Sequence, residues 1–162
     1  METILIDDSS QIKRKKKILE EKLNVKITVK KESITLEGDP IKEYEAKLII
    51  DSIAFGFPVD SALTLKDEEI MFRTLHIKDF TRRKNLHEVR ARVIGTNGRT
   101  RKTLEDISNC EIMIKENTVG IIGTAENIEE ATQAITNLIR GSKQSNVYRF
   151  LERMNTLKRS RK

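Results

Sequence analysis

Residues 93–114 read VIGTNGRTRKTLEDISNCEIMI, and the order of features in this stretch decides the fold. An apolar pair, Val93-Ile94, closes a helical run from His87. Gly95-Thr96-Asn97-Gly98 follows, then a second helical run, Arg99–Ser108, and then apolar positions at Cys110, Ile112 and Ile114. That last alternation predicts a half-buried strand. Two glycines spaced by two residues let the chain turn sharply and come close to a ligand that a Cβ would obstruct. The helix beginning at Arg99 points its free N–H groups and positive dipole end at the same place. Arg99, Arg101 and Lys102 in its first turn are each unfavourable there by about 0.3–1 kcal/mol, and a bound phosphate offsets that repulsion. The stretch reads as a clamp for a sugar-phosphate chain.

A lone GxxG is a weak signal, so its context matters. It is not a Walker A loop, which needs four residues between its glycines and then Lys-Ser/Thr. It is not an RNA-binding sheet of the aromatic kind either. Residues 110–115 and 118–122 contain no aromatic, and the chain has only five Phe and two Tyr.

The same pattern occurs twice. Laid over residues 99–123 at an offset of 85, residues 14–38 give eight identities: Arg14/Arg99, Lys17/Lys102, Leu19/Leu104, Glu20/Glu105, Asn24/Asn109, Ile27/Ile112, Lys30/Lys115 and Gly38/Gly123. Self-similarity at one offset predicts a duplicated supersecondary unit. In each copy a helix (Arg14–Leu23; Arg99–Ser108) leads into a strand (Val25–Val29; Cys110–Ile114). A short turn (Lys31-Glu32; Glu116-Asn117) and an antiparallel second strand follow. A further helix comes next, with Asp39 as expected N-cap and Pro40 at its first position in the first copy. The later copy's helix carries Ile128, Ala131, Ile135 and Leu138 on one face and ends at Gly141-Ser142. Val59–Leu65 reads as a connecting helix, Ile70–Ile77 as a strand and Asn146–Met154 as a last helix, with Lys158–Lys162 as a mobile basic tail. The expected class is α+β, two units of three antiparallel strands packed on helices. The expected divisions are 1–66, 67–142 and 143–162.

Charge separates the halves. The whole chain of 162 residues carries +6. Residues 1–78 hold 14 basic and 15 acidic side chains, and residues 79–162 hold 17 and 10. Between Arg82 and Lys102 eight basic residues face one acid, Glu88, an electrostatic footprint for a polyanion. One cysteine excludes a disulfide framework or a multi-cysteine zinc site and fits a reducing, cytoplasmic compartment. No stretch is apolar enough for a membrane span, and Met1–Asp8 lacks the pattern of a secretory leader. His76 and His87 have no partner at metal or triad spacing, so neither a catalytic residue nor a metal or other cofactor is expected. Asp7-Asp8 and Asp67-Glu68-Glu69 read as solvated carboxylates, Cys110 as a packing residue, and Tyr148 and Phe150 as residues that dock the last helix.

Residues 93–114 resemble the core of a KH (K-homology) RNA-binding domain. Together with FGFPVDSALTL (55–65), VGIIGT (119–124) and VYRFLER (147–153), they resemble the tandem-KH ribosome-assembly factors of archaea and eukaryotes. That resemblance implies binding of single-stranded or loop RNA near the 3′ end of small-subunit ribosomal RNA and a role in its maturation. It also implies a PIN-domain endonuclease and a translation initiation factor subunit as partners. Two features depart from the KH pattern. Thr96 and Asn97 replace the usual Lys or Gly between the glycines. At the offset of 85, Ser10-Gln11-Ile12-Lys13 stands where the second copy has its clamp, so the first copy is a degenerate unit suited to protein contact or scaffolding.

The expected RNA site comprises the backbone of Gly95, Thr96, Asn97 and Gly98. Phosphates would meet Arg90, Arg92, Arg99, Arg101 and Lys102. Bases would turn into an apolar groove from Val93, Ile94, Leu104 or Ile107, and the strand Ile112, Met113, Ile114; alternation alone does not separate groove from core. The competing reading is a protein-interaction adaptor whose basic half recruits an enzyme or translation factor, with RNA contact secondary.

Overall fold

The computed structural model describes residues 1–161. The chain forms two compact units, Met1–Glu68 and a second from Glu69 onward. The first runs β1 (Glu2–Leu5), α1 (Ser10–Arg14), α2 (Lys16–Leu23), β2 (Lys26–Val29), β3 (Ser33–Glu37), α3 (Pro40–Phe55) and α4 (Val59–Leu63), then one 3-10 turn, Thr64–Lys66. The second runs β4 (Ile70–His76), a 3-10 turn (Ile77–Phe80), α5 (Leu86–Ile94), a 3-10 turn (Thr96–Gly98), α6 (Arg99–Ser108), β5 (Glu111–Lys115), β6 (Thr118–Thr124), α7 (Ala125–Arg140) and α8 (Gln144–Ser160). Each unit has one antiparallel sheet, ordered β1-β3-β2 and β4-β6-β5. The class is α+β, as expected.

The register shows the duplication and where it fails. Ile27 pairs with Leu36 in the first sheet and Ile112 with Ile121 in the second, both at the offset of 85. Ile4 pairs with Ile34 and Leu75 with Val119, so the first strands match at an offset of only 71. The first unit is therefore 14 residues shorter between its opening strand and its second helix. The expected single helix Arg14–Leu23 is broken at Lys15 instead, and its opening piece is the five-residue α1.

Each unit has its own core. In the first, Ile12, Leu19, Ile27, Ile34, Leu36, Ala46 and Ile50 are fully buried. In the second, Val89, Val93, Leu104, Ile112, Ile121, Ile135 and Leu138 are buried together with Val147 and Leu151 of α8. Tyr148 and Phe150 pack against the edge of that core.

Two local expectations change. Asp39 occupies the N-cap position of α3 but makes no side-chain cap bond; Glu43 Oε1 instead accepts from the Gly38 amide at 3.0 Å. The last helix is longer than expected and takes in residues of the expected tail as far as Ser160. Lys158 Nζ donates to Asn127 Oδ1 at 2.6 Å and pairs with Glu130. Lys162, the last residue of that tail, lies outside the described residues.

Candidate nucleic-acid interface

The turn between α5 and α6 is built by three left-handed residues: Gly95 (φ 77°), Asn97 (φ 55°) and Gly98 (φ 73°). Such φ values suit glycine and, less well, asparagine. Gly95 ends α5, donating from its amide to Ala91 O at 2.8 Å, and its carbonyl accepts from Gly98 N at 3.2 Å. A Cβ on Gly95 would collide with Thr100 Oγ1 and stand 2.7 Å from that residue's Cβ. A Cβ on Gly98 would meet nothing within 4 Å. One glycine lets the chain pack closely on itself; the other leaves the outer surface open.

Behind Gly98 lies the start of α6. Gly98 provides no side-chain cap, and no acid stands in the first turn. The Arg99 amide closes the hinge by donating to Thr96 O, and no carboxylate competes for the positive end of the helix dipole. Thr96, Asn97, Arg99 and Lys102 are all exposed, and neither Arg99 nor Lys102 forms an ion pair among the described residues. Thr100 is 3% exposed, and its Oγ1 accepts from Gln144 Nε2 at 2.9 Å. The first residue of α8 thus braces the hinge. Sequence reasoning missed both Thr100 and Gln144. The close packing that Gly95 permits was a hint of the first; nothing local marks the second, 44 positions away.

The other expected site residues are placed in three ways. Val93 and Ile112 are buried in the core, as is Leu104. Ile94, Met113 and Ile114 are half-buried, and Ile107 and Ile114 pack at the core's edge. The cations are mostly tied to the protein. Arg101 Nη1 donates to Ile112 O at 3.0 Å and pairs with Glu105 at 3.2 Å. Arg90 donates to Glu116 O at 3.2 Å and to His87 Nδ1 at 2.8 Å, and Arg92 donates to Ser142 O at 3.1 Å. Thr96, Asn97, Gly98, Arg99 and Lys102 are thus gathered at the open face of the hinge. Among the described residues, no group of three His, Cys, Asp or Glu is placed to hold a metal ion. No helix there is long and apolar enough to cross a membrane.

Residues 71–156 match the family model for the second KH domain of PNO1, described as a eukaryotic type KH-domain (KH-domain type I). The chain is also similar to Dim2p from Pyrococcus horikoshii, at 32% identity and TM-score 0.85, over 94% of this chain and 98% of that one. The chain belongs to the PNO1/Dim2 family of KH-domain proteins. A second P. horikoshii structure, of an a/eIF2alpha–aDim2p–rRNA complex, matches at 31% identity and TM-score 0.84, over 96% of this chain and 93% of that one. Among curated relatives, the KH domain-containing protein MJ0443 of Methanocaldococcus jannaschii is 31% identical over 145 residues, which cover 85% of this chain and 64% of the relative. RNA-binding protein pno1 of Drosophila pseudoobscura is 33% identical over 135 residues, covering 78% and 57%. The match thus spans about three fifths of these relatives' length. By name, they are KH-domain or RNA-binding proteins.

Proposed function

We propose that this chain is a non-catalytic RNA-binding factor of small-subunit ribosome assembly that grips a single RNA strand at the hinge of its second unit. The observation that carries this reading is the α6 N-terminus, uncapped and free of acids behind a Gly98 that leaves its outer side open. A phosphate seated there would meet the positive end of the α6 dipole and the exposed Arg99 and Lys102. A KH clamp of this type takes about four nucleotides. Their bases would turn toward the half-buried Ile94 and Ile114, with Val93 and Ile112 supporting from the core, while Met113 lies on the opposite face of β5. Supporting the RNA class are relatives named as RNA-binding or pre-rRNA-processing proteins, and the rRNA-containing complex of the P. horikoshii neighbour.

The finer reading is that the RNA is the 3′ region of small-subunit rRNA and that binding assists its 3′-end processing. The first unit, without a glycine hinge, acts in protein contact or as a scaffold. A translation-factor partner is supported by a/eIF2alpha in the neighbour's complex; a PIN-domain endonuclease rests on the sequence resemblance. The protein partner in that complex is also what a second reading draws on, an adaptor whose RNA contact is secondary.

Thr96→Asp with Asn97→Asp tests the hinge. Asp tolerates left-handed backbone nearly as Asn does, so the fold should survive while two negative charges face the phosphates. RNA affinity, followed by fluorescence anisotropy, should fall at least tenfold with melting temperature nearly unchanged. For the wild type, log K should fall with log salt by about 0.7 per phosphate contact. A flat salt response would favour the adaptor, and undiminished affinity of the double variant would remove the hinge assignment.

A further inference from the structure

The tertiary structure assembles a second basic surface that the hinge does not account for. Three stretches contain no Asp or Glu at all: residues 80–87, 89–104 and 131–151. They are separate in sequence, but α5 packs on α7, α6 on α8, and the 3-10 turn ending at Phe80 on both α5 and α7. The turn from α7 into α8 is where they meet. Gly141 there has φ 110°, and a Cβ placed on it would lie 3.8 Å from Arg92 Nη1 and 4.0 Å from Arg83 Nη2. Two guanidinium groups therefore converge on one short piece of backbone. Neither forms an ion pair among the described residues, and Arg92 spends one N–H on the Ser142 carbonyl. Arg140 lies over the Phe80 ring, 5.9 Å from its centroid, and Lys143 is exposed beside them.

Like charges gathered without a carboxylate are unfavourable unless an anion visits them. The turn is also continuous with the hinge, because Gln144, three residues beyond Gly141, donates to the Thr100 hydroxyl that lies against Gly95. We propose that Arg83, Arg92, Arg140 and Lys143 around the α7–α8 turn form a second phosphate-binding surface. It takes the sugar-phosphate chain as it leaves the hinge, extending the grip beyond a KH clamp's usual span. The inference deepens the RNA-binding reading and rests on it. Contacts of this kind to the sugar-phosphate chain fix position and carry no sequence information.

The test compares RNA lengths on the full chain. Two single-stranded RNAs share one core from the 3′ end of small-subunit rRNA; one is about four nucleotides, the span of a KH clamp, and the other several times longer. Arg83→Ala with Lys143→Ala changes two exposed side chains and should leave melting temperature and short-RNA affinity unchanged. It should weaken the longer RNA about tenfold at low salt and reduce its salt slope by about 1.4, or about 0.7 per lost contact. Thr96→Asp with Asn97→Asp should weaken both RNAs. Unchanged affinity and slope on the longer RNA would overturn the second surface, as would an equal loss on both lengths, which marks diffuse charge. If the hinge variant bound both RNAs normally, the hinge reading would fail, while the Arg83/Lys143 comparison on the longer RNA would still decide this one.

Discussion

A methyl group at Gly95 would strike Thr100, whereas at Gly98 it would face open space, although both residues have φ above 70°. Gly98→Ala should therefore cost about 1–2 kcal/mol, the penalty of left-handed backbone. Gly95→Ala should cost that and a further ~1–3 kcal/mol of overpacking. Urea denaturation would show the order, and equal losses would mean that the hinge does not pack as described. The identities of the repeat are mostly structural at this scale. Glu20 and Glu105 each accept from the amide seven residues on, at 3.0 Å from Ile27 N and 2.9 Å from Ile112 N. Asn24 and Asn109 both end a helix at φ 55°. Gly38 and Gly123 let the chain lie against Val25 and Cys110, where a Cβ would stand 3.1 Å from Val25 Cγ1 and 2.7 Å from Cys110 Sγ. Burial pushes the Cys110 thiol up to about 11. The unfolded chain loses this proton near 9 while the folded chain keeps it, so stability is fully present below about pH 9 and falls as pH rises toward 11. Cys110→Ala should flatten that part of the stability curve, measured by denaturation at stepped pH; an unchanged slope would assign it to other groups.

At the scale of the element, α6 and α2 are homologous helices with different entrances. α6 is entered through an open hinge and carries cations at the wrong end for its dipole. Arg99→Glu should stabilise it by about 0.5 kcal/mol while weakening RNA binding severalfold, so melting temperature and affinity move in opposite directions. A variant that raised stability without losing affinity would show that Arg99 faces no phosphate. α2 is entered through Lys15 alone, and in the ungapped overlay Ile12, fully buried, stands where Asn97 is exposed. The first unit thus spends on its core the position that the second leaves at the surface.

On the scale of the whole molecule, each unit closes its own three-stranded sheet and its own core, which is what an independently folding domain requires. Residues 69–162 expressed alone should unfold cooperatively and keep RNA affinity within a fewfold of the full chain, while residues 1–68 alone should fold without binding RNA. Circular dichroism and anisotropy would check both; RNA bound by the first unit alone would reverse the assignment. The duplicated sheet, the helix–GxxG–helix order and the basic character of the second half are all legible in the chain, because alternation, glycine spacing and charge are local properties. Which of Val93, Ile94, Ile112 and Ile114 are core was not legible, since a strand facing a helix and one lining a groove show the same alternation. Nor could the chain show which cations the protein itself holds, because Arg90 and Arg101 are bound by carbonyls 26 and 11 positions away and Arg92 gives one N–H to a carbonyl 50 positions away. Local pattern determined the elements and the sign of the charge. Long-range contact alone decided that α8 braces the hinge and that Arg83 and Arg92 converge on Gly141, because those pairings depend on how helices pack and not on what precedes or follows a residue.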